Sequence, residues 1–327
     1  MTVAQTQPTT ALITGGTGFV GSHLSRHLDE HATHVVSLTS NPEEKTRDVR
    51  DFRLIDIRDH VAIEGLVNEL QPRHVYHLAA ITSIAAATND ERAAFDVNVW
   101  GTRNLLSAVS QSPEPVRFLN VSTSQVYGDS APCPIAESAP VRPQNTYAVT
   151  KAMSEILLQQ YATRCQIINV RPFNHSGPGQ SPSFVLSFLA REVAAIDLGL
   201  HKPVIRTGDL GVKRDFSDVR DVVRAYHLLM QQGLPGRTYN ICSGQAYLLS
   251  DALDHLLSLS SVHIRVERDP AKARKGEAST LYGSFDALFT DTGWKPRISF
   301  QQMLEDTFQF WRQSLAISPA SQATSPR

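Results

Sequence analysis

The chain has 327 residues, of which 41% are hydrophobic and 19% are charged, and its formal net charge at pH 7 is −1. This composition is typical of a globular protein with a large buried core, and it excludes a strongly basic surface that would gather nucleic acid or anionic membrane. The three cysteines are too scattered for metal-ligand spacing, and no apolar run approaches the roughly 20 residues of a membrane-spanning helix. With no secretory signal pattern either, we expect a cytoplasmic protein with reduced thiols, no bound metal, and no nucleic-acid or membrane partner.

Short apolar strands and amphipathic helices alternate along the first half of the chain. The pattern predicts strands at 11–14, 34–38, 53–55, 74–78, 117–121 and 166–170, and helices after the first strand and at 59–70, 95–109 and 145–164. This alternation indicates an α/β fold, a doubly wound parallel sheet of the Rossmann type with helices on both faces.

After Arg171 the alternation stops. A loop rich in proline and glycine precedes predicted helices at 184–199, 218–230, 248–259 and 300–311, with a short strand at 239–242. We therefore predict a first domain at 11–171 to which 218–243 returns. A smaller, interleaved α/β domain comprises 172–217 and 244–313, and polar, flexible tails lie at 1–10 and 314–327.

Gly15, Gly18 and Gly21 form a G-x-x-G-x-x-G pattern between the first strand and the first helix. Glycines there permit a tight turn and a close approach of the backbone to a pyrophosphate at the helix N-terminus, so the loop predicts dinucleotide binding. The second strand ends in Leu38-Thr39-Ser40, with no acid to bind a ribose 2′-hydroxyl. This favours NADP(H), with NAD(H) as the alternative. Lys45 or Arg47 could reach a 2′-phosphate, or could simply belong to a solvated loop.

Tyr147 and Lys151 are four residues apart and therefore share one face of a predicted helix. A free tyrosine has a pKa of about 10, and a nearby lysine is expected to lower it and so favour proton transfer. Thr123, at the end of the fifth strand, can hydrogen-bond the reacting oxygen. Alternatively, the Tyr–Lys spacing belongs to an ordinary helix surface, and Ser122-Thr123-Ser124 is a strand-end turn.

These motifs, with Asp56-Ile57, the segment 77–80 and the segment 98–102, resemble the extended short-chain dehydrogenase/reductase family over residues 11–312. The resemblance implies an NAD(P)-dependent oxidoreductase in which Thr123, Tyr147 and Lys151 are catalytic. It also implies cofactor contacts around the glycine loop, the strand ends and the catalytic helix, from Gly15, Thr17, Gly18, Phe19, Val20, Gly21, Thr39, Ser40, Asp56, Ile57, Leu78, Ala79, Ala80, Asn98, Val121, Tyr147, Lys151, Pro172 and His175.

The segments 171–180, 213–221 and 293–297 are similar to the branch of the family that acts on GDP-hexoses. This similarity implies that Asn174 and Arg214 contact the substrate diphosphate and that Arg274 and Glu277 contact the nucleotide end. Thr82, Thr123, Ser124 and Gln125 are further expected contacts of the substrate. Without the resemblance, Arg274 and Glu277 are simply part of a charged loop.

Gln125 stands where dehydratases of this branch carry an acid that moves the C5 proton, and an amide has no comparable basic lone pair. This favours NAD(P)H-dependent reduction of the C4 keto group of a GDP-4-keto-6-deoxyhexose, giving a GDP-D-rhamnose-type product. The C4 configuration, rhamnose or 6-deoxytalose, stays open. The alternatives are a GDP-mannose 4,6-dehydratase, a nucleotide-sugar 4-epimerase and, more remotely, a non-catalytic dinucleotide sensor.

The resemblance also implies a homodimer formed through the helices at 95–109 and 145–164. The apolar faces of these helices can equally well pack against the sheet of their own chain.

Overall fold

The apolar segment that precedes the glycine loop is a central strand of a seven-stranded parallel sheet. The computed structural model describes residues 10–31, 33–41, 49–129, 132–269 and 280–317. With strands numbered in chain order, the sheet comprises β1 (Thr10–Thr14), β2 (His34–Thr39), β3 (Phe52–Leu54), β4 (His74–His77), β5 (Val116–Val121), β6 (Cys165–Pro172) and β11 (Thr238–Ile241). Their order across the sheet is β11-β6-β5-β4-β1-β2-β3, and every pairing is parallel.

Helices flank this sheet because its strands are apolar on both faces. They are α1 (Phe19–Glu30), α2 (His60–Leu70), α3 (Ile84–Asn89), α4 (Glu91–Phe95), α5 (Thr102–Val109), α6 (Thr146–Tyr161), α8 (Val219–Gln232) and α10 (Asp286–Thr292), with a 3₁₀ turn at Ser124–Tyr127. Leu12, Val75 and Phe118 of the sheet form one buried core with Leu105 of α5 and Ile63 of α2. The predicted fold class is confirmed.

The predicted helix at 95–109 is not a single α-helix. A π-helical segment, Asp96–Gly101, separates α4 from α5. This segment ends at Gly101, where a larger residue would not fit, since an added Cβ would be 2.6 Å from the Ile57 Cγ2 atom. The apolar pattern predicts a helix from its overall spacing and does not locate a locally widened turn within it.

A second group of elements surrounds a core of three helices. It comprises β7 (Asn174–Ser176), α7 (Val185–Asp197), β8 (Val204–Thr207), β9 (Lys213–Arg214), β10 (Phe216–Asp218), β12 (Tyr247–Leu248), α9 (Leu249–Ser258), β13 (Arg265–Arg268), β14 (Thr280–Leu281) and α11 (Phe300–Ile317). The short strands pair as β10-β7, β12-β9-β14 and β13-β8. Buried apolar residues of α7, α9 and α11 form the core of this group. Of the helices that the structure describes, none is both long and apolar enough to cross a bilayer.

The chain forms two compact units. The first comprises the described residues up to Phe173 together with Val222–Ile241 and Ser284–Lys295, and the second comprises Asn174–Asp221, Cys242–Gly283 and the described residues from Pro296 onwards. The sequence pattern had placed 284–295 in the second domain. This segment packs instead with the first unit, because Asp291 of α10 accepts a hydrogen bond at 2.8 Å from Arg237, directly before β11, and one at 2.5 Å from the hydroxyl of Tyr239 in β11.

The two predicted tails are shorter than expected where the structure describes them. Thr10 opens β1, and α11 continues to Ile317, past the predicted start of the second tail. The other residues of both tails lie outside the described residues.

The close approach of Gly21 to the glycine loop makes a stability prediction. A Gly21→Ala Cβ would lie 2.2 Å from the Gly15 carbonyl oxygen and 2.6 Å from the Gly16 Cα atom, both of them backbone atoms. We expect this variant to unfold at a lower temperature than the wild type, as measured by circular dichroism.

Gly65→Ala on α2 is the matched control, because nothing lies within 4 Å of its added Cβ. Alanine is about 0.5–1 kcal/mol more favourable than glycine inside a helix, so this variant should unfold at a higher temperature. A Gly21→Ala protein as stable as the wild type would show that the loop tolerates a side chain at this position.

Candidate active site

The glycine loop forms a turn that brings backbone close to the end of β1. Gly15 has a φ of +67°, in the left-handed region that favours glycine, and its carbonyl oxygen accepts a hydrogen bond from the Gly18 N–H at 3.1 Å. Gly18 is the N-cap of α1 and has no side chain to cap it. The N-terminal N–H groups and the positive end of the helix dipole at this turn fit a pyrophosphate. The loop therefore fits the dinucleotide that its sequence predicts.

A buried histidine fixes the ends of β1 and β4 beside this loop. The two ring nitrogens of His77 lie 2.8 Å from the hydroxyl oxygens of Thr14 and Thr102. Burial, together with the charge of Lys151, lowers the pKa of His77 to about 3, so the ring is neutral. The Thr14 hydroxyl also accepts a hydrogen bond from the Ala79 N–H at 3.1 Å. The motif at 77–80 includes His77 but predicts no role for it, because its two partners are too distant in sequence.

The ends of β2 and β3 hold the residues predicted to contact the adenosine half of the cofactor. Thr39 is buried at the end of β2, and Ser40 is exposed beside it. The Asp56 carboxylate forms an ion pair with Arg58 at 2.6 Å, whose hydrogen bond lowers the pKa of Asp56. Ile57 is buried. Two residues predicted to favour NADP lie outside the described residues, Lys45 and Arg47.

The three predicted catalytic residues come together at the end of β5 and the first turns of α6. The side chain of Asn145 caps α6 by accepting a hydrogen bond from the Ala148 N–H at 2.9 Å. Tyr147 and Lys151 follow one turn apart. Thr123 begins the 3₁₀ turn after β5, and its hydroxyl is hydrogen-bonded to the hydroxyl of Tyr147. The threonine and tyrosine hydroxyls can therefore share one carbonyl oxygen of a substrate.

Burial changes the proton affinities at this site. It raises the pKa of Tyr147 to about 12, and the hydrogen bond from Thr123 only partly opposes this. The net shift of the Tyr147 pKa is therefore upward, opposite to the direction expected from the neighbouring lysine alone. Lys151 is 2% exposed, and burial lowers its own pKa to about 8, against the opposing charge of Glu155. At neutral pH the site holds a protonated phenol beside an ammonium group.

Asn98, predicted as a cofactor contact, links the loop after β4 to α6. Its side-chain oxygen accepts from the Ile81 N–H at 2.8 Å, and its side-chain nitrogen donates to the Thr150 hydroxyl at 2.9 Å. Thr150 in turn donates to the Tyr147 carbonyl at 2.8 Å. Asn98 thereby fixes the backbone that carries the catalytic tyrosine.

A buried ion pair stands one further turn along α6. Arg171, at the end of β6, donates to both carboxylate oxygens of Glu155 at 2.6 and 3.0 Å, and the two side chains are only 8% and 12% exposed, respectively. Arg171 also donates to the Tyr127 hydroxyl at 3.0 Å. The sequence analysis missed this pair, although Tyr147, Lys151 and Glu155 follow each other at a spacing of four residues. The carboxylate of Glu155 in this pair places a negative charge near Lys151.

The remaining predicted cofactor contacts are distributed over both units. Thr17, Phe19, Val20 and Gly21 belong to the glycine loop and the first turn of α1, and Leu78 and Ala80 flank Ala79 after β4. Val121 ends β5 and Pro172 ends β6 in the first unit, whereas His175 lies on β7 of the second unit.

The predicted substrate contacts also fall in different parts of the chain. In the first unit, Thr82 is exposed before α3, and Ser124 and Gln125 open the 3₁₀ turn. In the second unit, the Asn174 side chain donates to the Asp215 carbonyl at 3.2 Å, which places it next to Arg214 of β9. Two residues predicted to contact the nucleotide lie outside the described residues, Arg274 and Glu277.

Comparisons with known proteins show the family to which the chain belongs. A family model described as GDP-mannose 4,6 dehydratase matches residues 12–307. GDP-6-deoxy-D-mannose reductase from Pseudomonas aeruginosa is 36% identical over 304 residues, which cover 91% of this chain and 96% of that protein. GDP-mannose 4,6-dehydratase from Vibrio cholerae is 28% identical over 348 residues, which cover 90% of this chain and 91% of that protein.

Solved structures give the same result. RMD from Pseudomonas aeruginosa, in complex with NADPH, superposes with a TM-score of 0.84 at 34% identity and covers 94% of this chain and 99% of its own. UDP-glucose 4-epimerase from Thermus thermophilus, in complex with NAD, has a TM-score of 0.80 at 30% identity and covers 93% of this chain and 99% of its own. The chain therefore belongs to the family that the GDP-mannose 4,6 dehydratase model describes, within the extended short-chain dehydrogenases/reductases, and is an NAD(P)-dependent enzyme.

Proposed function

We propose that the protein reduces the C4 keto group of a GDP-4-keto-6-deoxyhexose with NAD(P)H, giving a GDP-D-rhamnose-type product. The observation that carries this proposal is the hydrogen bond between Thr123 and a protonated Tyr147, one turn from Lys151. The relative from Pseudomonas aeruginosa, named GDP-6-deoxy-D-mannose reductase, supports the substrate class.

In this mechanism, bound NAD(P)H supplies the hydride that reduces C4. Tyr147, protonated because burial raises its pKa to about 12, donates its phenolic proton to the C4 oxygen as the carbonyl becomes an alcohol. The Thr123 hydroxyl orients the same oxygen. The ammonium group of Lys151 stabilises the phenolate left on Tyr147, which then takes a proton from water. Because a raised pKa makes the phenol a weaker acid, the ammonium group of Lys151 is needed to favour the phenolate as the proton leaves Tyr147.

Gln125 supports reduction over dehydration. It lies in the 3₁₀ turn directly after Thr123, and its own N–H donates to the Thr123 hydroxyl oxygen at 3.2 Å. An amide at this place cannot remove a C5 proton. Delivery of a hydride to a ketone does not need such a base and requires only Thr123, Tyr147 and Lys151. Dehydratases of the same family are the alternative, because one of them matches 90% of the chain.

We also propose that NADPH is preferred over NADH. The described end of β2, Thr39 and Ser40, offers hydroxyl groups and no carboxylate to repel a 2′-phosphate. The substrate would be bound by Asn174, Arg214, Arg274 and Glu277 at its nucleotide end, and by Thr82, Ser124 and Gln125 at its sugar.

A homodimer is the proposed assembly. The π-helical segment and α6 pack together, and their outer surfaces carry large apolar side chains: Trp100 is 55% exposed, Ile156 is 64% exposed, and Met153 is also exposed. Their own chain thus leaves a large part of these three side chains exposed to solvent. A second copy of the chain would bury them in a four-helix interface.

The function is tested by measuring NADPH and NADH oxidation with GDP-4-keto-6-deoxymannose and, separately, with GDP-mannose. We expect oxidation of cofactor with the keto sugar only, and faster with NADPH. Product analysis by mass spectrometry and NMR would then give the C4 configuration. Conversion of GDP-mannose without net consumption of cofactor would instead establish a dehydratase or an epimerase.

Tyr147→Phe tests the catalytic assignment in the same assay. Because general acids contribute about 10²–10⁴-fold to rates, kcat should fall by roughly that factor. Tyr161→Phe, at the other end of α6, is the matched control and should retain activity. Comparable activity in the wild type and Tyr147→Phe would remove Tyr147 from the mechanism.

The rate should also depend on pH through Lys151. Its cation is present below a pKa of about 8 and is lost as the pH rises through that value, so kcat/KM for reduction should fall above about pH 8. Because the charge of Glu155 raises this pKa, Glu155→Gln should move the fall to lower pH while its amide can still hydrogen-bond Arg171. Glu64→Gln, on the exposed side of α2, is the control and should leave the profile unchanged. Identical profiles for Glu155→Gln and the wild type would assign the fall to another group.

The dimer is tested by light scattering coupled to size-exclusion chromatography. The wild type should have twice the mass of one chain, and Ile156→Glu should shift the protein towards the monomer by placing a charge in the interface. Asp90→Glu, a conservative change at the exposed N-cap of α4, is the control. A monomeric wild type would refute the proposed assembly.

A further inference from the structure

Three histidines of the first unit meet, and none of them is among the residues predicted to bind the cofactor or the substrate. His27 and His31 are four residues apart, at the last turn and the C-cap of α1, and His227 faces them from α8. One ring nitrogen of each lies within 4.8 Å of the others, and the His27 Nε2 atom is 3.0 Å from the His227 Nδ1 atom. No metal was expected from the sequence, where only the cysteines were considered as ligands. His227 is 200 positions from His27, so the three histidines form no recognisable sequence motif.

The distances between these nitrogens suit a transition-metal ion. Zinc–nitrogen bonds are about 2.0–2.1 Å long, which places the ligand atoms of a tetrahedral ion about 3.3 Å apart. The pair formed by His27 and His227 is already close to that separation. His31 is exposed, so a small rotation of its side chain can bring its ring to the same ion.

Hydrogen bonds from neighbouring groups decide which ring nitrogens present a lone pair to a metal ion. The Nδ1 atom of His31 donates to the His27 carbonyl oxygen at 2.7 Å, which leaves the lone pair on its Nε2 atom. The Gln231 side-chain amide lies 2.9 Å from the outer nitrogen of His227, and a rotation of the amide lets its oxygen accept that N–H, freeing the Nδ1 lone pair.

Some charges around the three histidines favour a bound cation, and others disfavour it. The C-terminal end of α1 is the negative end of its dipole and favours a cation. Arg224 is near enough to disfavour one, but its guanidinium donates to the Lys295 carbonyl and stacks over Trp294 with 5.5 Å between the guanidinium carbon and the ring centre. Imidazole nitrogens are the donor type that Zn²⁺, Co²⁺, Ni²⁺ and Cu²⁺ prefer, whereas Mg²⁺ and Ca²⁺ require oxygen ligands.

We propose that His27, His31 and His227 form a site for a divalent transition-metal ion, with water in the remaining coordination position. The ion would join the C-terminal end of α1 to α8. Since the N-terminal end of α1 begins at the glycine loop, the ion would fix the same helix at its opposite end. Metal binding would therefore stabilise the folded first unit by mass action.

The test uses the untagged full-length protein after treatment with a chelator. Co²⁺ is titrated in while its visible d–d absorption is recorded, Zn²⁺ binding is measured by calorimetry, and the unfolding temperature is followed with each ion and with Mg²⁺. We expect one Co²⁺ or Zn²⁺ per chain, a higher unfolding temperature with either, and no effect of Mg²⁺. The absence of saturable binding by the wild type would overturn the proposal.

Variants locate the ion. Because even the outer partners of metal ligands contribute about 10- to 100-fold to affinity, His31→Ala and His227→Ala should each bind at least about tenfold more weakly. His60→Ala, an exposed histidine at the start of α2, is the matched control and should bind like the wild type. Circular dichroism of the metal-free variants shows whether each is folded, and His31, at the exposed helix end, is the variant that least disturbs the core. Unchanged affinity in His31→Ala, or absorption bands of a cobalt–thiolate bond, would place the ion elsewhere and overturn the proposal.

Discussion

The positive charge buried on Lys151 is the constraint on which the catalytic region depends. An ammonium group removed from water is costly unless a negative charge lies near it, and Glu155 supplies that charge. Glu155 is itself buried, so it requires Arg171, and Arg171 in turn hydrogen-bonds Tyr127. Each buried polar group thus requires the next one. The series fixes α6 against the ends of β5 and β6, where the threonine and the tyrosine meet.

The same series extends to the far edge of the sheet. The Tyr127 hydroxyl donates to the Asn240 side chain at 2.7 Å, and the Asn240 N–H donates to the Glu137 carboxylate at 2.8 Å. Asn240 belongs to β11, the last strand added to the sheet. A connected polar network of this kind specifies one arrangement, because any other leaves a buried donor or acceptor unpaired. The position of the reacting hydroxyls is therefore set by groups that never touch the substrate.

Much of this molecule could be predicted from its sequence because the relevant signals are local. The glycine spacing at 15–21 reports a turn, the alternation of strands and helices reports the sheet, and the spacing of Tyr147 and Lys151 reports one helix face. Thr123 was expected near them because strand ends of a parallel sheet share one edge, and its hydroxyl is hydrogen-bonded to Tyr147.

What could not be predicted depends on the environment that distant segments create. The pKa of Tyr147 is raised because the folded chain excludes water from it, which no spacing records. The partners of His77, the return of 284–295 to the first unit and the meeting of His27 with His227 all join segments far apart in sequence. The π-helical segment at Asp96–Gly101 was not predicted, because the apolar pattern indicates a helix without showing which type of turn it contains.

The division of the chain has a consequence for its synthesis. The chain passes between the two units at five places, after Phe173, Asp221, Ile241, Gly283 and Lys295. A nascent chain that has emerged only as far as Phe173 lacks β11, so β6 is an unpaired edge strand, which is a surface prone to association with other chains. Neither unit can be completed on the ribosome before most of the other has been made. The two must therefore mature together, and no single cut in the gene would release the dinucleotide-binding unit as an intact domain.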